Sequence, residues 1–567
     1  MYACHCDVKG AKVNKGNSPQ SAGSRRDGGT HRCIRRIRWS IVIEQALRGM
    51  GTEPIDRRTV LKTTCALAAA IGVAREIALT GAAFAAPVGG TPQKFTNETV
   101  KDLAKTLAAA DFAEPVLELP EPFNKLSYDQ YRDIRFRPEQ SVWRGDKLDA
   151  ELQLFPMGWL YETPVEIWLV DNGEASALTA DGRLFSLGPL IGKGADAAPY
   201  GFSGFRIHGP LNRADYLDEY VVFQGASYLR AVGRGQNYGV SARGLALNTA
   251  RAGGEEFPVF RSFWIEKPKA ASGEIVVHAL LDSPSVTGAY RFAIQSGEAT
   301  VMDIDASIFP RKKLAHVGIA PLTSMFLHGP SSARGAKDFR PSVHDSEGLA
   351  VLNGSGERLW RPLSNPKMLQ TSAFLDKDPK GFGFAQRDRT FRSFEDLEAH
   401  YERRPTVWVE PKGAWGEGFI ELIEIPVEDE IHDNIVAFWK PAKGLEPGGL
   451  YDFTYRLHWG EDVPAAWSGA RVAKTRMGAT KKDGISLFVI DFEGAAVKEL
   501  RDLPVAELSV NPGSSANIVV QRNPEIAGVR VSFELNPGDA ELVELRLSLK
   551  GGDQQISETW LYRWTKL

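Results

Sequence analysis

The chain has 567 residues, 43% of them hydrophobic and 25% charged, with a formal net charge of −3. That length exceeds one ordinary core and predicts two domains, and the composition excludes disorder over the main body. No apolar run beyond residue 85 is long enough to span a membrane, so stable membrane insertion is not expected.

Residues 1–85 read as a leader. Residues 1–48 mix Gly, Ser and Arg without periodicity and have the character of an extension. From Met50 the text becomes an export signal: Arg57–Arg58, then Val60, Leu61 and Lys62, an apolar stretch through Val73, and Ala83-Phe84-Ala85 before Ala86. All four cysteines (Cys4, Cys6, Cys33, Cys65) lie in this leader, so the remaining chain offers no disulfide, thiol nucleophile or thiolate metal ligand. The leader holds 14 of the 68 Lys/Arg and 6 of the 71 Asp/Glu, which leaves 54 against 65 and a net charge near −11. Neutralising phosphates requires a basic face, so a nucleic-acid partner is excluded. The expectation is an acidic protein exported to the periplasm by the twin-arginine route.

The clearest helix spans Thr96–Ala110. Val100, Leu103, Ala104 and Leu107 share a face, Thr96 can cap the first turn, and Phe95 can staple against Val100. Strand alternation follows at Leu152/Leu154, Val165/Ile167/Leu169, Ile275/Val277/Ala279, Tyr290/Phe292/Ile294 and Met302/Ile304/Ala306. Ser393–Tyr401 is a second helical candidate. Short strands with frequent Gly, Pro, Asn and Asp predict an antiparallel β-sandwich or barrel, not a parallel sheet with crossover helices. Near residue 465 the text becomes irregular. Beyond it Ile485/Leu487/Val489, Val529/Val531/Phe533 and Leu545/Leu547/Leu549 predict a small immunoglobulin-like sandwich. The expected division is a leader over 1–85, a large domain over 86–465 and a C-terminal domain over 466–567.

No P-loop, GxSxG elbow, HExxH helix or Cys/His metal spacing is present, so neither a cofactor nor a metal is expected. Gly233–Gly239 is glycine-rich but leads into a strand, as a tight loop would. Glu428, Asp429, Glu430, His432 and Asp433 crowd a turn between strand-like segments. Such a cluster is either a solvated loop or a place where like charges hold one carboxyl protonated. Asp345 has a similar setting, His344-Asp345-Ser346 against His432-Asp433-Asn434. Two carboxylates on different loops can act as acid and base across a glycosidic bond, although Asp before a strand also serves simply as an Asx turn. Twelve of the 13 Trp lie beyond the leader, enough to furnish a sugar groove or to fill the core of a large β-fold. Composition and position nominate Tyr238, Arg243, Trp360, Arg361 and Trp408 to hold successive sugar units.

Several longer segments carry a family likeness. Ser241–Ala246 (SARGLA), Gly254–Pro258 (GEEFP), Leu281–Pro284 (LDSP), Thr287–Tyr290 (TGAY), Ala320–Phe326 (APLTSMF), His344–Ser346 (HDS), Trp360–Pro362 (WRP), Phe394–Leu397 (FEDL) and Asp433–Val436 (DNIV) resemble the periplasmic glucan biosynthesis proteins G and D, the OpgG/OpgD or MdoG/MdoD family. The resemblance runs from about Phe112 to the C-terminus, and the twin-arginine leader resembles the D branch. It implies a large galactose-mutarotase-like β-sandwich followed by an immunoglobulin-like one. It also implies action on osmoregulated periplasmic glucans with a β-1,2-linked glucose backbone, with a homodimer as one option. Members similar to inverting endo-β-1,2-glucanases place a general acid at the position of Asp433 and a general base, reached through a proton relay, at that of Asp345. Others are similar to transglycosylases. A non-catalytic glucan escort or a structural envelope protein would need no such pair.

Overall fold

The structure is a computed structural model that describes residues 91–191, 201–269, 273–332, 338–464 and 467–566. The twin-arginine segment, the cleavage site and the four cysteines lie outside the described residues. The described residues other than 250–254 belong to one compact unit.

The first helix forms over Asn97–Ala108, as its periodicity requires. The Thr96 N–H donates to Thr99 Oγ1 at 2.9 Å, satisfying one of the free groups of the first turn. Its buried face (Val100, Ala104, Leu107) packs with Phe95 against Trp264, Leu280, Ala289 and Phe309 of the neighbouring strands. The expected helix over 393–401 is absent. Short 3₁₀ turns at Phe391–Ser393 and Tyr401–Arg403 stand there instead. Glu395 and His400 adopt left-handed φ values of 56° and 46°, and Asp396 Oδ1 accepts the Glu398 and Ala399 N–H groups. That local turn competes with helix.

The other regular elements are almost all strands, and the architecture is an all-β sandwich of mainly antiparallel sheets. A 16-stranded sheet contains the expected strands Glu166–Asp171, Glu274–Asp282, Val286–Gln295 and Thr300–Pro310. A 10-stranded sheet runs in the order 370–377, 417–424, 435–441, 317–324, 241–243, 228–231, 218–224, 202–209 and 151–156, with 245–247 beside 317–324. Their facing residues, Phe205, Val221 and Phe223 from one and Phe260, Phe263 and Phe292 from the other, interleave in one core. Apolar positions alternate along these strands because successive side chains point to opposite faces.

The C-terminal strands Arg471–Ala479, Ser486–Glu493, Gly528–Asn536 and Ser514–Asn523 form a sheet of their own. Its core also takes residues from strands Leu542–Gly551 and Thr559–Thr565, which extend the 16-stranded sheet through parallel pairing of Trp560 with Trp360. Val529, Val531, Phe533, Leu545, Leu547 and Leu549 point inward as expected. In Ser486–Glu493 the register is one residue off the expectation. Phe488, Ile490 and Phe492 are buried while Leu487 is exposed.

Candidate active site

Asp433 ends the turn before strand Ile435–Pro441, and Asp345 follows the short strand Val343–His344. One buried strap, Ser324–Phe326, holds both. The Asp345 N–H donates to the Met325 carbonyl at 2.9 Å, and Ser324 Oγ donates to Ser346 Oγ at 2.8 Å. The fully buried Asn434 accepts the Phe326 N–H at 2.8 Å and donates to the carbonyls of Phe326 and Ile425 at 3.1 and 3.0 Å. The strap therefore fixes the backbone under both carboxylates. Asn434→Ala removes three bonds and orphans their backbone partners, so it is expected to cost about 2–4 kcal/mol. The urea midpoint reads this, and a shift worth under about 0.5 kcal/mol would show that the strap is held otherwise.

The side chain of Asp345 is 11% exposed and that of Asp433 is 27% exposed. Burial pushes the Asp345 carboxyl above its ordinary range; Arg404 opposes this, and the charge of Asp433 adds to it. Arg404 Nε stands 3.5 Å from Asp345 Oδ1, and Arg230 Nη2 stands 3.5 Å from Asp433 Oδ2. Arg230 is held by donating from Nε to Ser241 Oγ at 2.6 Å. His344 lies between Phe326 and Phe394, where burial lowers its pKa to about 3 and keeps it neutral.

In the acidic turn Glu430 accepts Arg340 at 2.7 Å and the Tyr401 hydroxyl at 3.1 Å, and Asp429 caps the Ile431 N–H. Arg340 also binds Asp338 and Asp396, so it anchors the turn and offsets its charge.

The nominated sugar-holding residues fall in different places. Arg243 is buried below the site, donating to Glu255 at 2.6 Å and Thr323 at 3.0 Å. It lies 5.1 Å from the ring of Tyr228, whose hydroxyl feels the charge of Asp433. Tyr238 is half-buried against the main core. Trp360 and Trp408, 1% and 2% exposed, belong to the core shared with the C-terminal strands and cannot serve as platforms. Gly348 and Gly381 make room for them; a Cβ at either would lie 2.4 or 2.1 Å from the indole. Arg361 is buried in an ion pair with Glu424 at 3.0 Å. These three are corrections. Their strand positions face the interior between sheets, where large aromatics and a paired guanidinium fill space.

An aromatic surface that the sequence reading passed over stands beside the site instead. The rings of Tyr128 and Tyr161 lie 5.0 and 5.8 Å from Trp159, and Tyr131 lies 5.4 Å from Tyr161. All four are half-buried, and the charge of Arg230 reaches the Tyr161 hydroxyl. Its signal was Gly158-Trp159-Leu160-Tyr161, where Gly158 (φ 140°) and Trp159 (φ 55°) turn the chain so that the Trp159 ring packs against Tyr128 and Tyr161 at interplanar angles of 53° and 68°. Aromatic faces beside planar polar groups suit the alternating CH and OH surfaces of a sugar. Among the described residues, no three His, Cys, Asp or Glu converge as metal ligands.

Residues 95–564 match the family model described as periplasmic glucan biosynthesis protein, MdoG. The chain belongs to this family. Among the similar MdoG-type proteins is glucans biosynthesis protein G of Shewanella frigidimarina, 51% identical over 477 residues that cover 83% of this chain and 85% of the relative. The protein of the same name from Vibrio cholerae serotype O1 is 50% identical over 474 residues, covering 83% and 87%. That of Shewanella sp. (strain MR-4) is 49% identical over 476 residues with the same coverage. These relatives carry the name of the G branch of the MdoG family, not the D branch that the leader suggested. No helix among the described residues is long and apolar enough to cross a membrane.

Proposed function

We propose that this periplasmic glucan biosynthesis protein is an inverting endo-β-1,2-glucanase that trims the β-1,2-linked glucose backbone of osmoregulated glucans, exported through its twin-arginine leader as a D-branch member. The observation that carries the reading is the carriage of Asp345 and Asp433 on one buried strap, close enough to interact electrostatically, beside an aromatic surface.

In the proposed reaction Asp433, the more exposed carboxyl, gives its proton to the glycosidic oxygen as the C–O bond breaks. A water attacks the anomeric carbon from the opposite face, and its proton passes along a short chain to ionised Asp345. The product anomer is inverted. Arg230 and Arg404 steady the two carboxylates, and Tyr161 with Trp159 supports glucose units alongside. Transfer of the glycosyl unit to a sugar hydroxyl instead of water would use the same two groups.

A second reading exchanges the roles. It is favoured by the burial that raises Asp345 and by the cation facing Asp433, since a general acid benefits from a raised pKa. One experiment separates the two. Arg404→Gln removes the charge that holds Asp345 down, so its pKa rises further. A base works only when ionised, so if Asp345 is the base the ascending, acid limb of the kcat/KM profile moves to higher pH. An acid works only when protonated, so if Asp345 is the acid the descending limb moves up. The first outcome is expected, with the wild-type acid limb already above the ordinary aspartate value of about 3.9. A profile with neither limb moved would remove Asp345 from the chemistry.

A further inference from the structure

A cleft of about 760 Å³ lies where strands Gly348–Leu352 and Arg358–Pro362 approach the short helix Ala495–Lys498 and the 526–527 turn. Its volume is that of a small-molecule site, and it shares no lining residue with the aspartate pair or the Trp159–Tyr161 surface. At its mouth stands Trp467, 41% exposed, with the Arg358 guanidinium 5.2 Å from the ring centre and Gly469 packed tightly against the indole.

The lining carries four basic and four acidic side chains, so no net charge draws an ion into it. Most of these groups already hold one another in place. Arg387 binds Glu558 at 2.7 Å, and Arg471 binds Asp462 at 2.6 Å and Glu493 at 2.9 Å. Fixed carboxylates and guanidiniums keep lone pairs and N–H groups for further bonds, in a cleft walled by an indole. A neutral polyhydroxylated ligand fits this balance better than a phosphate, a peptide or an apolar molecule.

We infer that this cleft is a second, non-cleaving site that holds a segment of the same glucan chain away from the aspartate pair. The inference rests on the proposed glucan substrate and adds a place where a long chain is retained between encounters with the cleaving site. Two linked sites raise the apparent affinity for a chain long enough to reach both and leave short chains unaffected.

The test measures binding of long linear β-1,2-glucan to the full chain carrying Asp433→Asn, alone and combined with Trp467→Ala or with Arg358→Gln. Cleavage of short β-1,2-glucooligosaccharides is followed in the same Trp467 and Arg358 variants with Asp433 intact. Each second substitution is expected to weaken long-glucan binding about five- to tenfold, with short-chain cleavage unchanged. Long-glucan affinity unchanged in both variants would overturn the second site while leaving the glucanase reading standing. A protein that neither binds nor cleaves any β-1,2-glucan would remove both.

Discussion

Replacing Asp433 with Asn is expected to slow cleavage of linear β-1,2-glucan by about 10²–10⁴-fold, the range for loss of a positioned acid. Asn has nearly the same shape and keeps an oxygen toward Arg230, which also stays tied to Ser241. Its amide has no acidic proton to give. The sugar would still rest on the Trp159–Tyr161 surface, so glucan affinity should stay within about twofold while kcat falls. That split is the diagnostic feature. Loss of rate and affinity together, with a lowered melting temperature, would mean that Asp433 holds the turn and not the proton. Full retention of rate would remove it from the mechanism.

The largest expected effect on stability lies at Arg361, a residue whose sequence context suggested sugar binding. The side chains of Arg361 and Glu424 are 3% and 1% exposed, and their contact joins strand Arg358–Pro362 to strand Glu417–Glu424 of the other large sheet. Glu424 also accepts the Ser364 N–H at 2.8 Å and the Ser364 hydroxyl at 2.9 Å. Arg361→Ala leaves a carboxylate buried between sheets with only Ser364 to compensate it, which costs about 3–5 kcal/mol. Adding Glu424→Gln removes the stranded charge and should restore much of the loss. Urea denaturation of the single and double variants measures both effects. A single variant within about 1 kcal/mol of the parent would show that water reaches Glu424.

Much of the fold could be read where a strand buries one face, as in Thr300–Pro310, where Met302, Ile304 and Ala306 are buried while Asp303 and Asp305 between them are not. The same rule failed over Ile485–Ile490, where Leu487, Phe488, Val489 and Ile490 are all apolar and alternation cannot say which set faces in. Over 393–401 local side-chain bonding by Asp396 overrode helical spacing. At the candidate site, the two His-Asp segments stood out because a turn rich in side chains that bond backbone is visible locally, and the fold hangs both from the Ser324–Phe326 strap. The aromatic surface did not stand out, because Trp content does not reveal burial. Trp360 and Trp408 sit on strands whose faces are both covered, while Trp159 sits in a turn between strands. Charge compensation was equally hidden. Arg340 is some 90 residues from Glu430, and only the fold brings them together.

The most direct measurement is to incubate residues 86–567 with linear β-1,2-glucan and resolve the products by size and by anomeric configuration as they form. The account predicts shorter β-1,2-linked oligosaccharides whose new reducing ends appear first as the α-anomer. Intact glucan from a folded protein, or products that retain the β-configuration, would contradict it.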